Sequence, residues 1–248
     1  MTARAKLGQH FLLRGSVLER IARAVCPQPE PLVIEIGPGR GALTAKLLER
    51  ANRVVAIEVD PYLANHLRSK FAAEPRLETI ERDILETDLA KWGRVPIAGN
   101  LPYYIASAII ERISRLQPPR AVFLIQNEVA QRLAAKPGSR DYGFLTVEIA
   151  ARMDTRLLFG VPPPAFHPPP KVDSAVIVLE PTREPPPVAD LEAFLQFVAQ
   201  CFRYKRKTLR NNLVDGYGRE AIDSLPEAGL RAEQLSMQQF AAIYRKLV

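Results

Sequence analysis

Cysteine and histidine are scarce in this chain: two cysteines, Cys26 and Cys201, and three histidines, His10, His66 and His167. Two thiols so far apart build neither a disulfide framework nor a thiolate cluster. The histidines have no ligand spacing, so no metal site is expected. The low cysteine count points to a reducing space, and the cytoplasm is the expected location. No apolar run approaches the ~20 residues that span a bilayer. Polar residues interrupt Met1 to Leu12, so no secretory core is legible there, and no membrane partner is expected. Internal repeats and low-complexity tails are also missing. What is present is a 248-residue chain with 47% hydrophobic and 25% charged residues, enough for a sizeable core without staples.

Acid is in shorter supply than base. Lys and Arg total 34 against 27 Asp and Glu, a net charge of +7. Net charge speaks to partners rather than fold, and a basic balance suits a polyanion such as RNA as well as it suits a solubilising surface. Proline is plentiful and clustered. Pro162 to Pro170 and Pro181 to Pro187 read as ordered loop or linker, because proline fixes φ and has no backbone donor.

Before those prolines, short apolar runs alternate with helical patterns. Leu32–Ile36, Arg53–Val59, Leu77–Ile80, Val95–Ala98 and Ala121–Ile125 read as strands, and Thr146–Ala151, Arg156–Phe159 and Ala175–Leu179 as later ones. Val17–Val25, Ala42–Arg50, Tyr62–Phe71, Ile105–Arg115 and Glu128–Ala135 read as helices. Strand–helix alternation predicts an α/β fold, a mainly parallel doubly wound sheet with helices on both faces. After Pro187 the strand pattern stops. Asp190 is placed to cap a helix with Leu191, Phe194, Leu195, Val198 and Cys201 on one face, and Ser236 with Gln239 forms a capping box. The expected organisation is a sheet domain over 1–187 and a small all-helical domain over 188–248.

In a doubly wound sheet, ligands bind beyond the carboxyl ends of the strands. The first such end is Gly37-Pro38-Gly39-Arg40-Gly41, where glycines let the backbone approach a ligand and turn into a helix. Gly37, Gly39 and Ala42 also satisfy the loose dinucleotide fingerprint, so the loop alone leaves a nicotinamide cofactor open. Glu58 and Asp83 follow the next two strands and should share that edge. A carboxylate there accepts ribose hydroxyls or an adenine amine. Two acids suit a cationic cofactor such as S-adenosylmethionine, a sulfonium without phosphates, better than a pyrophosphate. Glu35, within the first strand, is a further candidate for orienting the amine of such a cofactor.

Asn100-Leu101-Pro102-Tyr103 follows the fourth strand. This is the set needed for methyl transfer to an exocyclic amine. The lone pair of adenine N6 is delocalised into the ring, so it is a poor nucleophile. The side-chain carbonyl of Asn100 and the backbone carbonyl of Leu101 can accept its two N–H groups and direct the lone pair at the methyl. Pro102 stiffens the turn, and Tyr103 can stack on a base removed from its helix. A plain β-turn with a buried Tyr would explain Pro102 and Tyr103 but not Asn100 opposite a cofactor loop.

With these residues in hand, the chain resembles the KsgA/RsmA family of small-subunit ribosomal RNA adenine dimethyltransferases over nearly its whole length. The matching segments are Leu7–Leu12, Glu35–Gly39, Ile57-Glu58, Asp83, Gly99–Tyr103, Gln126–Leu133, Pro168–Val176 and Arg206–Leu213. The resemblance implies a Rossmann-like class I S-adenosylmethionine-dependent methyltransferase domain. It also implies transfer of two methyls to N6 of each of two adjacent adenosines in the hairpin loop near the 3′ end of 16S rRNA, with a role in small-subunit biogenesis. Carried over by position, it implies cofactor contacts from His10, Leu12, Gly37, Gly39, Glu58, Asp83 and Asn100. The chain departs from the family at three places: His10 where Asn is usual, Arg82 where Gly is frequent, and Tyr104 where Asn commonly follows the Tyr.

Two further segments bear on substrate. Phe166, between two proline triplets, is a candidate for sandwiching the flipped base opposite Tyr103; its alternative is a hydrophobic plug at the sheet end. The run Arg203–Arg210 is a solvated helix face or, with an RNA substrate, a phosphate contact through Lys205, Arg206, Lys207 and Arg210, with Leu209 and Leu213 packing inward. The expected partner is small-subunit rRNA or a pre-30S particle, met by a monomer. A non-catalytic assembly factor on the same fold, a large-subunit rRNA methyltransferase of the erythromycin-resistance type and a nicotinamide oxidoreductase are the competing readings.

Overall fold

The protein is described by a computed structural model over residues 10–248. Leu7, Gly8 and Gln9 of the first matching segment lie outside the described residues. Contacts divide the chain into two compact units. One runs to Ala130 and resumes over Thr155–Pro181; the other comprises Gln131–Asp154 and Thr182–Val248.

The first unit is the α/β one. Its seven-stranded sheet contains β2 (Val33–Ile36), β3 (Val54–Glu58), β4 (Leu77–Glu81), β5 (Ile97–Asn100), β6 (Ala121–Gln126), β7 (Met153–Val161) and β9 (Ser174–Pro181). The order across the sheet is β4-β3-β2-β5-β6-β9-β7. β2 pairs in parallel with β3 and β5, as do β3 with β4 and β5 with β6, whereas β9 is antiparallel to β6. Every residue of β2 and β3 is buried, as parallel strands covered on both faces must be. Helix α1 (Gly15–Val25) presents Val17, Leu18, Ile21, Ala22 and Val25 to the core, at helical spacing. Helix α2 (Ala42–Leu48) contributes Leu43, Leu47 and Leu48 to that same core. Helix α3 (Pro61–Lys70) starts where Asp60 accepts the N–H groups of Tyr62 at 2.8 Å and Leu63 at 3.4 Å, with Pro61 in the first helical turn. Helices α4 (Ala106–Leu116) and α5 (Asn127–Leu133) follow β5 and β6. A separate two-stranded pairing joins β1 (Phe11–Leu12) to β8 (Phe166–His167), with Leu12 opposite Phe166.

The second unit has its own core, built on Phe194, Phe197, Leu209, Leu235 and Phe240. Its helices are α6 (Phe144–Ala150), α7 (Leu191–Cys201), α8 (Leu209–Tyr217), α9 (Arg219–Asp223) and α10 (Met237–Leu247). Asp190 caps α7 through the Ala193 N–H at 3.0 Å. At α10, Ser236 and Gln239 exchange bonds of 3.2 and 2.9 Å.

Two expectations change. Thr146–Ala151 is helix α6, not strand. Three β-branched residues favour a strand there, but Thr146 Oγ1 accepts the Gly143 N–H at 3.2 Å and donates to the Arg132 carbonyl at 2.6 Å, opening a helix that buries Thr146, Val147, Glu148 and Ile149. Residues 131–154 accordingly join the C-terminal unit, and the division after the sheet falls at Pro181 rather than Pro187.

Candidate active site

The chain moves outward from β2 to β3 and β4, then returns to the other side of β2 with β5. That reversal opens a crevice at the carboxyl edge of the sheet. A cavity of about 370 Å³ lies there, within the range of small-molecule sites. It is lined by residues following β2, β3, β4 and β5 and by His10 to Leu13 of the strap that carries β1. Three inter-strand steps separate β4 from β5, about 14 Å at ordinary strand spacing. The cavity therefore has an acidic end at β3 and β4 and a different end at β5.

At the acidic end, Gly39 and Gly41 hold φ at +57° and +75°, values that glycine takes without strain. A Cβ on Gly41 would lie 2.6 Å from the Phe71 ring. The Gly39 N–H reaches Glu58 Oε2 at 3.0 Å, and the Asp60 N–H reaches Oε1 at 3.0 Å. Glu58 is buried, and desolvation raises its pKa above the ordinary carboxylate value against those two bonds. Each oxygen keeps a lone pair for a ligand hydroxyl. Glu35 is also buried and is pushed up to about 8 by desolvation, while Thr44 Oγ1 donates to its Oε2 at 2.6 Å. Asp83 accepts the Leu85 N–H at 2.8 Å and lines the same cavity. Glu58 and Asp83 beside one cavity fit a ligand bearing hydroxyls and positive charge, and Glu35, protonated below about pH 8, adds a hydrogen-bonding carboxyl rather than a charge.

At the β5 end, Asn100 occupies the last position of the strand. Its Nδ2 donates to the main-chain carbonyl of His10 at 2.9 Å. A carbonyl only accepts, so this contact fixes which way the amide faces and leaves Oδ1 as the acceptor. Among the described residues no group donates to Oδ1. At His10 the contact with Asn100 is made by the main-chain carbonyl, a group that any residue at this position supplies. Its imidazole Nδ1 also bonds the Pro168 carbonyl at 2.8 Å. Tyr103 is half-buried, with its hydroxyl 2.6 Å from Ser174 Oγ and its ring centroid 5.8 Å from that of His10. Desolvation raises its pKa, so it is a neutral ring at physiological pH.

The structure brings together His10, Leu12, Gly37, Gly39, Glu58, Asp83, Asn100, Leu101, Pro102 and Tyr103 around this cavity. It does not bring Phe166 there. Phe166 is 4% exposed and packs in the apolar core with Leu12, Val161 and Ala165, paired through β8 to β1. The plug reading describes its position, and the sandwich with Tyr103 is set aside. The basic run is likewise not a helix face. Residues 202–208 form a loop between α7 and α8, and only Leu209 and Arg210 are helical. Lys205 Nζ donates to the Arg140 carbonyl at 3.1 Å, Arg210 pairs with Asp223 at 2.8 Å, and Arg206 and Lys207 are exposed. Leu209 and Leu213 are buried. Sequence reasoning missed Thr44 and Ser174. A buried acid in a strand demands a donor, and a Thr in the following helix was the signal for the first; the second sat unremarked in a matched segment.

Known proteins share this fold. The description "Ribosomal RNA adenine dimethylase" belongs to the family that matches residues 1–247. The ribosomal RNA small subunit methyltransferase A of Acidobacterium capsulatum is 41% identical over 255 residues, covering 98% of this chain and 90% of the relative. A dimethyladenosine transferase from Plasmodium falciparum superposes with a TM-score of 0.83 at 24% identity, covering 96% of this chain and 98% of that one. The 23S rRNA methyltransferase ErmE gives 0.74 at 29% identity, covering 96% and 99%. The α/β unit is thus a Rossmann-like class I methyltransferase fold, its acidic cavity end is suited to S-adenosylmethionine, and the chain belongs to the ribosomal RNA adenine dimethylase family.

Proposed function

We propose that this protein dimethylates N6 of two adjacent adenosines in the 3′-terminal hairpin loop of small-subunit rRNA, acting as a cytoplasmic monomer on a pre-30S particle. The observation that carries the reading is the Asn100 amide, oriented by the His10 carbonyl so that Oδ1 accepts. With the Leu101 carbonyl it takes the two N–H groups of the adenine amine and draws the nitrogen toward tetrahedral. Tyr103 supports the extruded base. Glu58 and Asp83 would hold the ribose and adenine of the cofactor, and Glu35 would help orient its amine. When bound, S-adenosylmethionine supplies an electrophilic methyl and takes the S–CH3 bonding pair onto sulfur. The amine needs no base beforehand, since its proton leaves to solvent after the N–C bond forms. The exposed loop with Arg206 and Lys207 supplies phosphate contacts, consistent with the net charge of +7.

The identity of 41% to a small-subunit enzyme against 29% to a large-subunit one favours the small subunit. Methyl transfer to small ribosomal subunits purified from a strain lacking this modification, with the product nucleosides identified by mass, tests the proposal. N6,N6-dimethyladenosine at two neighbouring positions is expected. Activity on large-subunit rRNA alone would redirect the reading to the erythromycin-resistance type, and no transfer to either would leave a non-catalytic assembly factor.

A further inference from the structure

We infer that Tyr104 forms a subsite for the nucleobase next to the target adenosine. This rests on the reading of the chain as an adenosine dimethyltransferase acting on two adjacent nucleotides. Tyr104 lines the same cavity as Asn100 yet is 63% exposed, one of the most exposed large apolar side chains among the described residues. Leu13, on the strap, lines that cavity too and is 60% exposed. The acidic residues expected to hold the cofactor's ribose and adenine lie away from Tyr104. Glu58 and Asp83 follow β3 and β4, on one side of β2, whereas Tyr104 follows β5, on the other.

Nor does the target base account for it. Tyr103 and Tyr104 are consecutive residues of the turn that joins β5 to α4. Tyr103 is committed inward, half-buried and tethered to Ser174 at 2.6 Å. Tyr104 is solvent-facing where Tyr103 is held inward, so the two rings stand at different depths of the cavity. Phe166 is in the core, and the Phe11 ring lies at the acidic end against Gly39 and under Arg40, so Tyr104 is the aromatic left at the β5 end, where it stands at the rim. Extruding an adenosine strips its neighbour of a stacking partner. A solvent-facing ring beside the point of extrusion restores that partner, and stacking of this kind accepts any base. When the first adenosine occupies the site the second rests on Tyr104, and after transfer the two exchange roles.

The test uses the full-length protein, small subunits lacking the modification, and the variants Tyr104→Ala, Tyr104→Leu, Tyr104→Phe and Tyr104→Trp. The KM for the subunit is expected to rise roughly tenfold for Ala and Leu. Phe and Trp should restore it to near the wild-type value, because the ring carries the effect. The Kd for S-adenosylmethionine should stay constant across the series. In time courses, Ala should delay the second adenosine more than the first. Unchanged KM and product order in Tyr104→Ala, with the wild type active, would overturn this inference alone. Leu equal to Phe would overturn it in favour of an apolar contact with a ribosomal protein. A wild-type protein that leaves the subunit unmethylated would overturn the underlying functional reading, and this inference with it.

Discussion

Asn100→Ala isolates the group on which the chemistry turns. The wild-type amide is held by one bond of 2.9 Å to the His10 carbonyl, which leaves its Oδ1 as an acceptor; in the proposed reaction that acceptor takes the adenine amine. That acceptor gains most when the nitrogen becomes tetrahedral and its N–H groups acidify, so its loss falls on turnover rather than on binding. Removal of one preorganised polar group costs about 10²–10³ in rate, roughly 2.7–4 kcal/mol. The variant also releases His10. Losing that bond costs about 0.5–1.5 kcal/mol in holding the strap, enough for a several-fold weaker cofactor complex. Affinity for the subunit should change less than about twofold, since phosphate contacts dominate it. Asn100→Asp sharpens the test: an ionised carboxylate would set an oxygen against the His10 carbonyl, acceptor against acceptor. The assay is single-turnover methylation of small subunits at saturating cofactor. A rate for Asn100→Ala within about threefold of wild type would refute the role assigned to Oδ1.

Glu58→Gln places an amide NH2 against the N–H of either Gly39 or Asp60, a donor–donor clash worth about 1–3 kcal/mol; calorimetry should show cofactor affinity falling roughly tenfold with subunit binding intact, and equal loss of both ligands would count against the assignment. Glu35 holds its proton up to about pH 8 in the folded state against an ordinary glutamate value of 4.5 in the unfolded chain. Its contribution is therefore fully present below about pH 4.5 and is lost as pH rises through about 8, at no more than about 1.4 kcal/mol per pH unit; the Tm advantage of Glu35→Gln over wild type should grow between pH 5.5 and 8, and a constant difference would contradict the shift. Replacing Lys205, Arg206 and Lys207 with Gln should lower the slope of log K against log salt for rRNA by about two, Lys205 contributing least because it already serves the Arg140 carbonyl; an unchanged slope returns the loop to solvent. Phe166→Ala should cost about 3–5 kcal/mol of stability, read as a lower Tm, while the variant's single-turnover rate at low temperature stays closer to wild type than that of Tyr103→Ala.

Sheet, strand ends and cofactor edge were legible because each strand is a short apolar run closed by a residue that does not belong in a core: Gly37, Glu58, Asp83, Asn100. The local rule failed where distant groups decide. At Thr146–Ala151 the β-branched residues spoke for a strand, and a donor–acceptor pair with Gly143 and Arg132 made a helix. The basic run looked helical because it continues from α7. Asn212 stops it: its Nδ2 donates to the Cys201 carbonyl at 2.8 Å and its Oδ1 accepts the Tyr204 N–H at 3.1 Å, folding the run out as a loop. Tyr104 read only as a departure from a motif, since exposure at a cavity rim has no signature in spacing.

Phe166 shows how a residue can belong to the site without touching substrate. It pairs with Leu12 across the β1–β8 ladder, and Phe11 pairs with His167. The Leu13 N–H adds a bond of 2.9 Å to the Ala165 carbonyl. The ladder spans some 155 positions of sequence, so no local pattern announces it. What it fixes is the strap immediately after His10. One residue earlier, the His10 carbonyl meets Asn100, and the His10 imidazole meets Pro168 at 2.8 Å. The proline triplets that seemed to present an aromatic to the base instead anchor the segment that aims the amide. Burial of Phe166 and direction of the Asn100 amide meet at the same strap, His10 to Leu12, which contacts both.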